Sequence, residues 1–306
     1  MTEPFAGQAF GLTFHCQQVL PELTPCARST AHGSTVSIDW LADTAPAPAL
    51  NLDLDQGLFR GTPSSFDLRV PGIAGYHVTA ERIAISPAPG VAPGSVRAFL
   101  FGSALGALLQ LRGLTVLHGS AVQRPDGTAA VFCGSSTAGK STLAAALAQR
   151  GHPLLSDDLT ALRFDGDGQV WCLPGLARTK LWRHALDALG LADQAHAGTQ
   201  VRPDLDKYSL PFGLATQPAP LRRFYELRAH EQGELAFSEV KGLAKFNVLM
   251  AHTFRPTFLP AMGLQAQHLR RISALVPLLS VSRIDRPRSA QTLDAISSQL
   301  EDEWQA

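Results

Sequence analysis

The chain has 306 residues, 45% of them hydrophobic and 17% charged, with 26 basic side chains balancing 26 acidic ones. That length and apolar content fit one large domain or two small ones with a substantial core. Zero formal net charge gives no bulk argument for a nucleic-acid partner, and four scattered cysteines (Cys16, Cys26, Cys133, Cys172) without a Cys-x-x-Cys pair indicate neither a zinc ribbon nor a disulfide framework.

The first residues, Met1-Thr-Glu-Pro, have neither the basic start nor the apolar stretch of a signal peptide, so a reducing cytoplasm is the expected compartment. His15 stands beside Cys16 but lacks two further ligands at a spacing that a tetrahedral metal site could use. Residues 1–93 read as a β-rich region. Segments 35–40, 66–70, 77–80 and 82–85 alternate apolar and polar side chains as half-buried strands do, with turns at 45–48, 61–63 and 71–72 between them. The Pro- and Gly-bearing stretch 87–94 marks a boundary. The apolar run 98–109 is too short for a bilayer and belongs to a helix over 96–112, closed by Gly113. Strands follow at 114–117, 129–133 and 154–155, with a helix over 141–150 between the last two; strand, loop, helix and strand make a βαβ unit. Beyond residue 158 come a helix at 183–189, strands at 221–227 and 275–281, and an amphipathic helix at 292–304.

The chemistry gathers in the middle of the chain. Gly134, Ser135, Ser136, Thr137, Ala138, Gly139, Lys140 and Ser141 fit G-x-x-x-x-G-K-[ST] at every fixed position, directly after a buried strand and before a helix. A phosphate chain needs many donors aimed at one place. Backbone N–H groups in a tight loop supply them, glycine allows the dihedrals, and the helix presents its electropositive end. Lys140 is expected to reach the β and γ phosphates, the Ser141 hydroxyl to bind Mg²⁺, and Thr142 to add a phosphate contact. ATP with magnesium is the expected ligand.

One helix later the chain carries Asp157-Asp158 at the carboxyl end of the short strand, which is expected to pair near the phosphate-loop strand. Two carboxylates there can divide the work, one holding Mg²⁺ and the other accepting the proton of an attacking hydroxyl. Such a pair is by itself an ordinary turn or helix cap; its closeness to Lys140 gives it the functional reading. His118, at the end of the strand before, can adjust the charge of the acids or orient a phosphate.

These pieces together resemble the HPr kinase/phosphorylase family, which carries a His-Gly pair, a loop ending Gly-Lys-Ser, and an Arg-Gly-His stretch that runs to Asp-Asp. Here they are His118-Gly119, the loop from Gly134 to Ser141, and Arg150-Gly151-His152 through Asp157-Asp158. The resemblance implies an α/β fold: a P-loop kinase domain of the HPr kinase C-terminal type over residues 94–306, a mixed sheet with flanking helices, preceded by a smaller β-rich domain over 1–93, itself a candidate for substrate recognition. It implies a Mg-ATP-dependent serine kinase in which Asp157 is the base, Lys140 stabilises the transferred phosphoryl group, Ser141 and Asp158 bind the metal, and His118 supports the site. Cys172 stands where the family has a metal-binding Glu, and the family's Pro-Gly-Arg-Asn loop is not found, so HPr is not the expected acceptor. The chain is more similar to the divergent HPr-kinase-like proteins of peptide-tailoring clusters, among them kinases of lasso-peptide precursors. That likeness makes a serine of a peptide or small protein the expected acceptor. Free serine or another small hydroxyl metabolite, or ATP binding without turnover, are the alternatives. Arg178, Lys180, Lys207 and Arg255 are candidates for phosphate or substrate contact. No nucleic acid or membrane is expected as a partner, and nothing opposes self-association into a homo-oligomer.

Overall fold

The computed structural model describes residues 5–27, 34–41, 51–53, 57–196, 199–202, 205–231, 233–288 and 291–305; the turn expected at 45–48 lies outside them. In chain order the strands β1 (Phe5–Ala9), β2 (Leu12–Cys16), β3 (Thr24–Pro25), β4 (Thr35–Trp40), β5 (Asn51–Asp53), β6 (Gly57–Thr62), β7 (Ser65–Val70), β8 (Ala74–Thr79) and β9 (Arg82–Pro87) precede the helices α1 (Pro93–Phe99) and α2 (Leu105–Leu111). Then come β10 (Thr115–Gln123), β11 (Ala129–Gly134), α3 (Lys140–Gln149), β12 (Leu154–Ser156), β13 (Leu159–Phe164), β14 (Val170–Cys172), β15 (Arg178–Trp182), α4 (Arg183–Ala188), β16 (Lys207–Pro211), β17 (Ala219–His230) and β18 (Ala236–Glu239). The chain closes with α5 (Leu243–Ala251), α6 (Phe258–Ala261), α7 (Gln265–Leu275), β19 (Ser280–Pro287) and α8 (Gln291–Gln305). The protein is therefore mixed α/β, with large sheets and flanking helices. It divides into two compact units, one of Met1–Val116 with Arg255–Leu269, the other of Leu117–Phe254 with Arg270–Ala306.

The first unit holds a nine-stranded sheet in the order β3-β1-β2-β4-β9-β8-β7-β6-β5. The period of two in its sequence becomes burial: Val36 and Ile38 of β4, Phe66 and Leu68 of β7, and Tyr76 and Val78 of β8 all turn inward. Phe258 of α6 packs on this core with ring centroids 4.4 Å from Phe66 and 5.0 Å from Phe59. α1 and α2 are joined by a π-helical turn at Leu100–Ala104 into one helical segment, which starts at Pro93, three residues before the expected point, because proline suits a first helical turn. The segment Pro93–Leu111 is long and apolar enough to cross a membrane by composition, and most of it is buried. The Tyr76 hydroxyl donates to the Val96 carbonyl at 2.8 Å and so ties the sheet to it.

The second unit is organised around β11. Its neighbours are β10, antiparallel, with Gly119 opposite Cys133, and β17, parallel, with Cys133 opposite Glu226. β12, which follows α3, pairs with β10 and not directly with β11, so it lies near the strand that precedes the loop, one strand away. The parallel neighbour of β11 is instead the distant β17. β10 also runs past the expected end at residue 117 to Gln123, and His118 lies within the strand. β11, β10, β13, β14 and β17 pair in turn, and β17 pairs back with β11. Alternate residues of β11 serve two layers. Ala129, Val131 and Cys133 join a core with Phe224, Leu249, Ile272 and Val281. Ala130 and Phe132 join another with Leu143, Leu147, Ile296 and Leu300 of α3 and α8. The strand expected at 275–281 is displaced. α7 runs to Leu275, Leu278 N–H closes a turn onto the Leu275 carbonyl at 3.0 Å, and β19 begins at Ser280, because Pro277 has no N–H to give a ladder.

Arg150 and His152 of the Arg-Gly-His stretch fasten α3 to α8. Arg150 Nη2 lies 2.6 Å from Glu301 Oε2, His152 Nε2 lies 3.0 Å from Glu301 Oε1, and the His152 ring meets Trp304 edge-on at 5.1 Å. The structure gives these two residues a clamping role, remote from the phosphate loop.

Candidate functional site

β11 ends at Gly134 and α3 begins at Lys140, so residues 135–139 make a tight connection at the carboxyl end of the strand. A Cβ on Gly134 would stand 2.4 Å from the Leu227 carbonyl oxygen of β17. One on Gly139, whose φ is +97°, would stand 2.5 Å from Arg286 Nη1. Neighbouring backbone at one position, and backbone conformation together with a guanidinium at the other, demand glycine. Lys140 is 7% exposed, and its Nζ donates to the Gly134 and Ser135 carbonyls at 3.0 Å each, folding the ammonium over the loop. Burial pushes its pKa down, while Cys133, Asp158 and Asp157 oppose that shift.

The two acids part company. Asp157 is 5% exposed and both its oxygens are taken within the fold. Oδ1 accepts from Ser120 Oγ at 2.6 Å, and Oδ2 accepts from Thr179 Oγ1 and the Lys180 N–H at 2.9 Å each. Asp158 sits at φ +69° at the centre of a three-residue turn closed by Leu159 N–H on the Asp157 carbonyl at 2.8 Å. This is a strained conformation that Asp tolerates better than most residues. The turn sends its side chain the other way. Oδ2 lies 2.8 Å from Lys180 Nζ and Oδ1 3.4 Å from His118 Nδ1. Burial raises the Asp158 pKa, but Lys180, His118 and Lys207 outweigh it and hold the carboxyl well below the usual carboxylate range.

Asp158 and the loop face one cavity of about 440 Å³, whose whole lining belongs to the second unit. Of the residues expected at the site, His118, Ser136, Thr137, Gly139, Lys140, Ser141, Thr142 and Asp158 line it, as do Lys180 and Lys207; Gly134, Ser135, Ala138 and Asp157 do not. Arg178 opens β15 outside the lining, and Arg255 falls in the first unit. Cys172, at the position of the family's Glu, is fully buried among apolar side chains. Eight lining residues escaped the sequence reading, among them the polar or aromatic Arg286, Arg288, Trp182 and His184. The available signal was Arg286-Pro287-Arg288, two cations bracketing the proline that ends β19. Arg288 Nη1 approaches the Thr137 carbonyl at 3.4 Å. Among the described residues the buried Arg286 Nε finds no hydrogen-bond partner, and burial together with Arg288 lowers its pKa.

Five cationic side chains and one carboxylate therefore surround the cavity. Loop backbone, Lys140 and the unsatisfied Arg286 suit a polyphosphate. Among the described residues no group of three or more His, Cys, Asp or Glu could hold a metal alone. Ser141 suits magnesium, which takes one or two protein oxygens together with phosphate oxygens and water; the other expected ligand, Asp158, lines the same cavity but is ion-paired with Lys180.

No protein-family profile matches the chain, and no curated protein matches it by sequence. Among solved structures, that of the Hpr(Ser) kinase/phosphatase from Coxiella burnetii is similar at 12% identity and a TM-score of 0.33, over 61% of this chain and 89% of that one. A likeness so low says nothing of the reaction, and the chemistry of this chain rests on its own cavity.

Proposed function

We propose that the protein is a Mg-ATP-dependent kinase that transfers the γ-phosphoryl group to a serine hydroxyl of a peptide or small protein. The observation that supports this best is the meeting of Lys140, Ser141 and one ionised carboxylate, Asp158, in a single cavity. The loop amides and Lys140 hold the phosphates; the ammonium leaves the Gly134 and Ser135 carbonyls to do so. Ser141 would hold magnesium, which would supply positive charge beside the phosphates. Asp158 orients the serine hydroxyl and takes its proton as the serine oxygen bonds to the γ phosphorus and the bond to the β-phosphate oxygen breaks. His118 and Lys180 keep Asp158 ionised. Asp157, the base implied by the family resemblance, is buried outside the cavity lining with three donors on its carboxylate, and acts here as a positioning residue that fixes Ser120, Thr179 and Lys180.

The test is transfer of label from γ-labelled ATP with Mg²⁺ to a panel of HPr, a serine-bearing precursor-type peptide and free serine. Label is expected on the peptide, with a loss of at least about a hundredfold in Asp158→Asn and in Lys140→Ala. Label on free serine alone would move the acceptor to small metabolites. ATP binding without transfer to any of them would remove the kinase reading.

A further inference from the structure

Resting on the nucleotide reading above, the geometry points to a nucleobase subsite at the apolar end of the cavity, in which we infer that the base stacks on Trp182. β15 carries the wall of the cavity away from the acid. Lys180 and Trp182 stand two apart on the strand and so share a face; Lys180 reaches Asp158, and Trp182 continues the wall beyond it. α4 prolongs that wall with Ala185 and Ala188, and α8 adds Leu293. α4 lies along α3, because Ala145 of α3 shares a core cluster with Ala185 and Leu186. The lining therefore has a second part, of Leu181, Trp182, Ala185, Ala188 and Leu293, that is apolar apart from His184. A triphosphate alone has no use for that second half, whereas a nucleotide carries a flat apolar ring at the end remote from its γ phosphate.

Trp182 is half-buried and is held in place on one side: Lys207, its cross-strand partner, sets Nζ 5.6 Å from the ring centroid. A base on the ring completes a stack, and Lys207 remains beside the phosphates. Stacking binds any base by its area and ignores its edge, so purine nucleotides bind more tightly than pyrimidine ones, while ATP and GTP differ little.

The experiment is calorimetric titration of the full chain with magnesium and ATP, CTP or inorganic tripolyphosphate. It is run on the wild type, Trp182→Ala, Trp182→Phe and Ala188→Phe, the last filling the apolar end from an exposed helix position. Wild type is expected to bind ATP more tightly than CTP and tripolyphosphate. Trp182→Ala should weaken ATP by at least about fivefold and leave tripolyphosphate unchanged, with Trp182→Phe restoring most of the loss. Ala188→Phe should likewise weaken ATP alone. Equal affinity of wild type for ATP and tripolyphosphate overturns the base subsite and leaves the phosphate site standing. So does an equal loss of both ligands in Trp182→Ala with neither lost in Ala188→Phe. Binding of neither ligand by wild type overturns the nucleotide reading and the subsite with it.

Discussion

Asp157 and Asp158 look interchangeable in the sequence, and the resemblance to kinases assigns the base to the first. What separates them is a single backbone dihedral. With φ at +69°, Asp158 puts a kink between β12 and β13, both of which pair with β10, and the two acids face different environments, one the interior and one the cavity. No composition or spacing rule reports a positive φ at a non-glycine residue; the run Leu155-Ser-Asp-Asp reads equally well as a plain turn. Lys140 was legible because its motif fixes both residue type and conformation, whereas Arg286 and Arg288 arrive from a strand far along the chain. The division of labour gives a prediction that opposes the two acids. Asp157→Asn places an amide where three donors converge, and it should cost about 2–3 kcal/mol in urea unfolding. Asp158→Asn removes an ion pair that is partly open to solvent, and should leave stability within about 1 kcal/mol while losing transfer. Equal destabilisation by both changes would mean that the two carboxylates are not divided in this way.

Strands with a period of two were readable wherever one face is buried, as in β4 and β7, and so was α3, whose alanine-rich sequence favours a helix in any setting. Pairing was not readable, because the choice of neighbour is made by tertiary packing. β17 enters beside β11 from more than ninety residues away, and nothing local announces it. Its centre carries a charge cluster around the buried Glu226. Glu226 lies 2.7 Å from Arg283 Nε of β19, 3.2 Å from Arg228 Nε and 3.3 Å from His252 Nε2 just after α5. Burial pushes the Glu226 pKa up, but His252, Arg283 and Arg228 outweigh it and bring the carboxyl to about 2, below its ordinary 4.5. A folded pKa below the unfolded one means that the stabilisation is fully present above pH 4.5 and is lost as the pH falls toward 2. Urea midpoints of wild type and Glu226→Gln should therefore differ most at neutral pH, by the equivalent of up to about 3 kcal/mol, and converge on acidification. Parallel curves across that range would show that the cluster does not hold β17, β19 and α5 together.

At the scale of the whole chain, every residue that lines the cavity belongs to the second unit, while the turn of Pro and Gly before α1 is the feature that most resembles a boundary in the sequence. Composition shifts mark where a chain bends, but a domain is defined by what shares a core, and that depends on contacts distant in sequence. The helical segment Pro93–Leu111 and the segment Arg255–Leu269 both belong to the unit built by β1 to β9. Val96, Leu100, Leu105, Leu108 and Leu109 are buried, as is Phe258, which packs on Phe59 and Phe66. A chain that begins at residue 94 would keep the loop, both acids and the whole cavity, yet it would lose the strands of the unit to which these side chains belong. An apolar helix of that kind in water forms a patch well beyond the few hundred Å² that soluble monomers tolerate. The shortened chain should therefore aggregate or require detergent, and replacing Leu100, Leu105 and Leu108 with polar residues should recover soluble protein that still binds ATP through its unchanged second unit. Sedimentation of the shortened chain, with and without those replacements, measures this directly. A monodisperse, ATP-binding product from residue 94 onward without any replacement would show that the helix finds cover in the second unit alone, and that the first unit is not needed to keep the second folded.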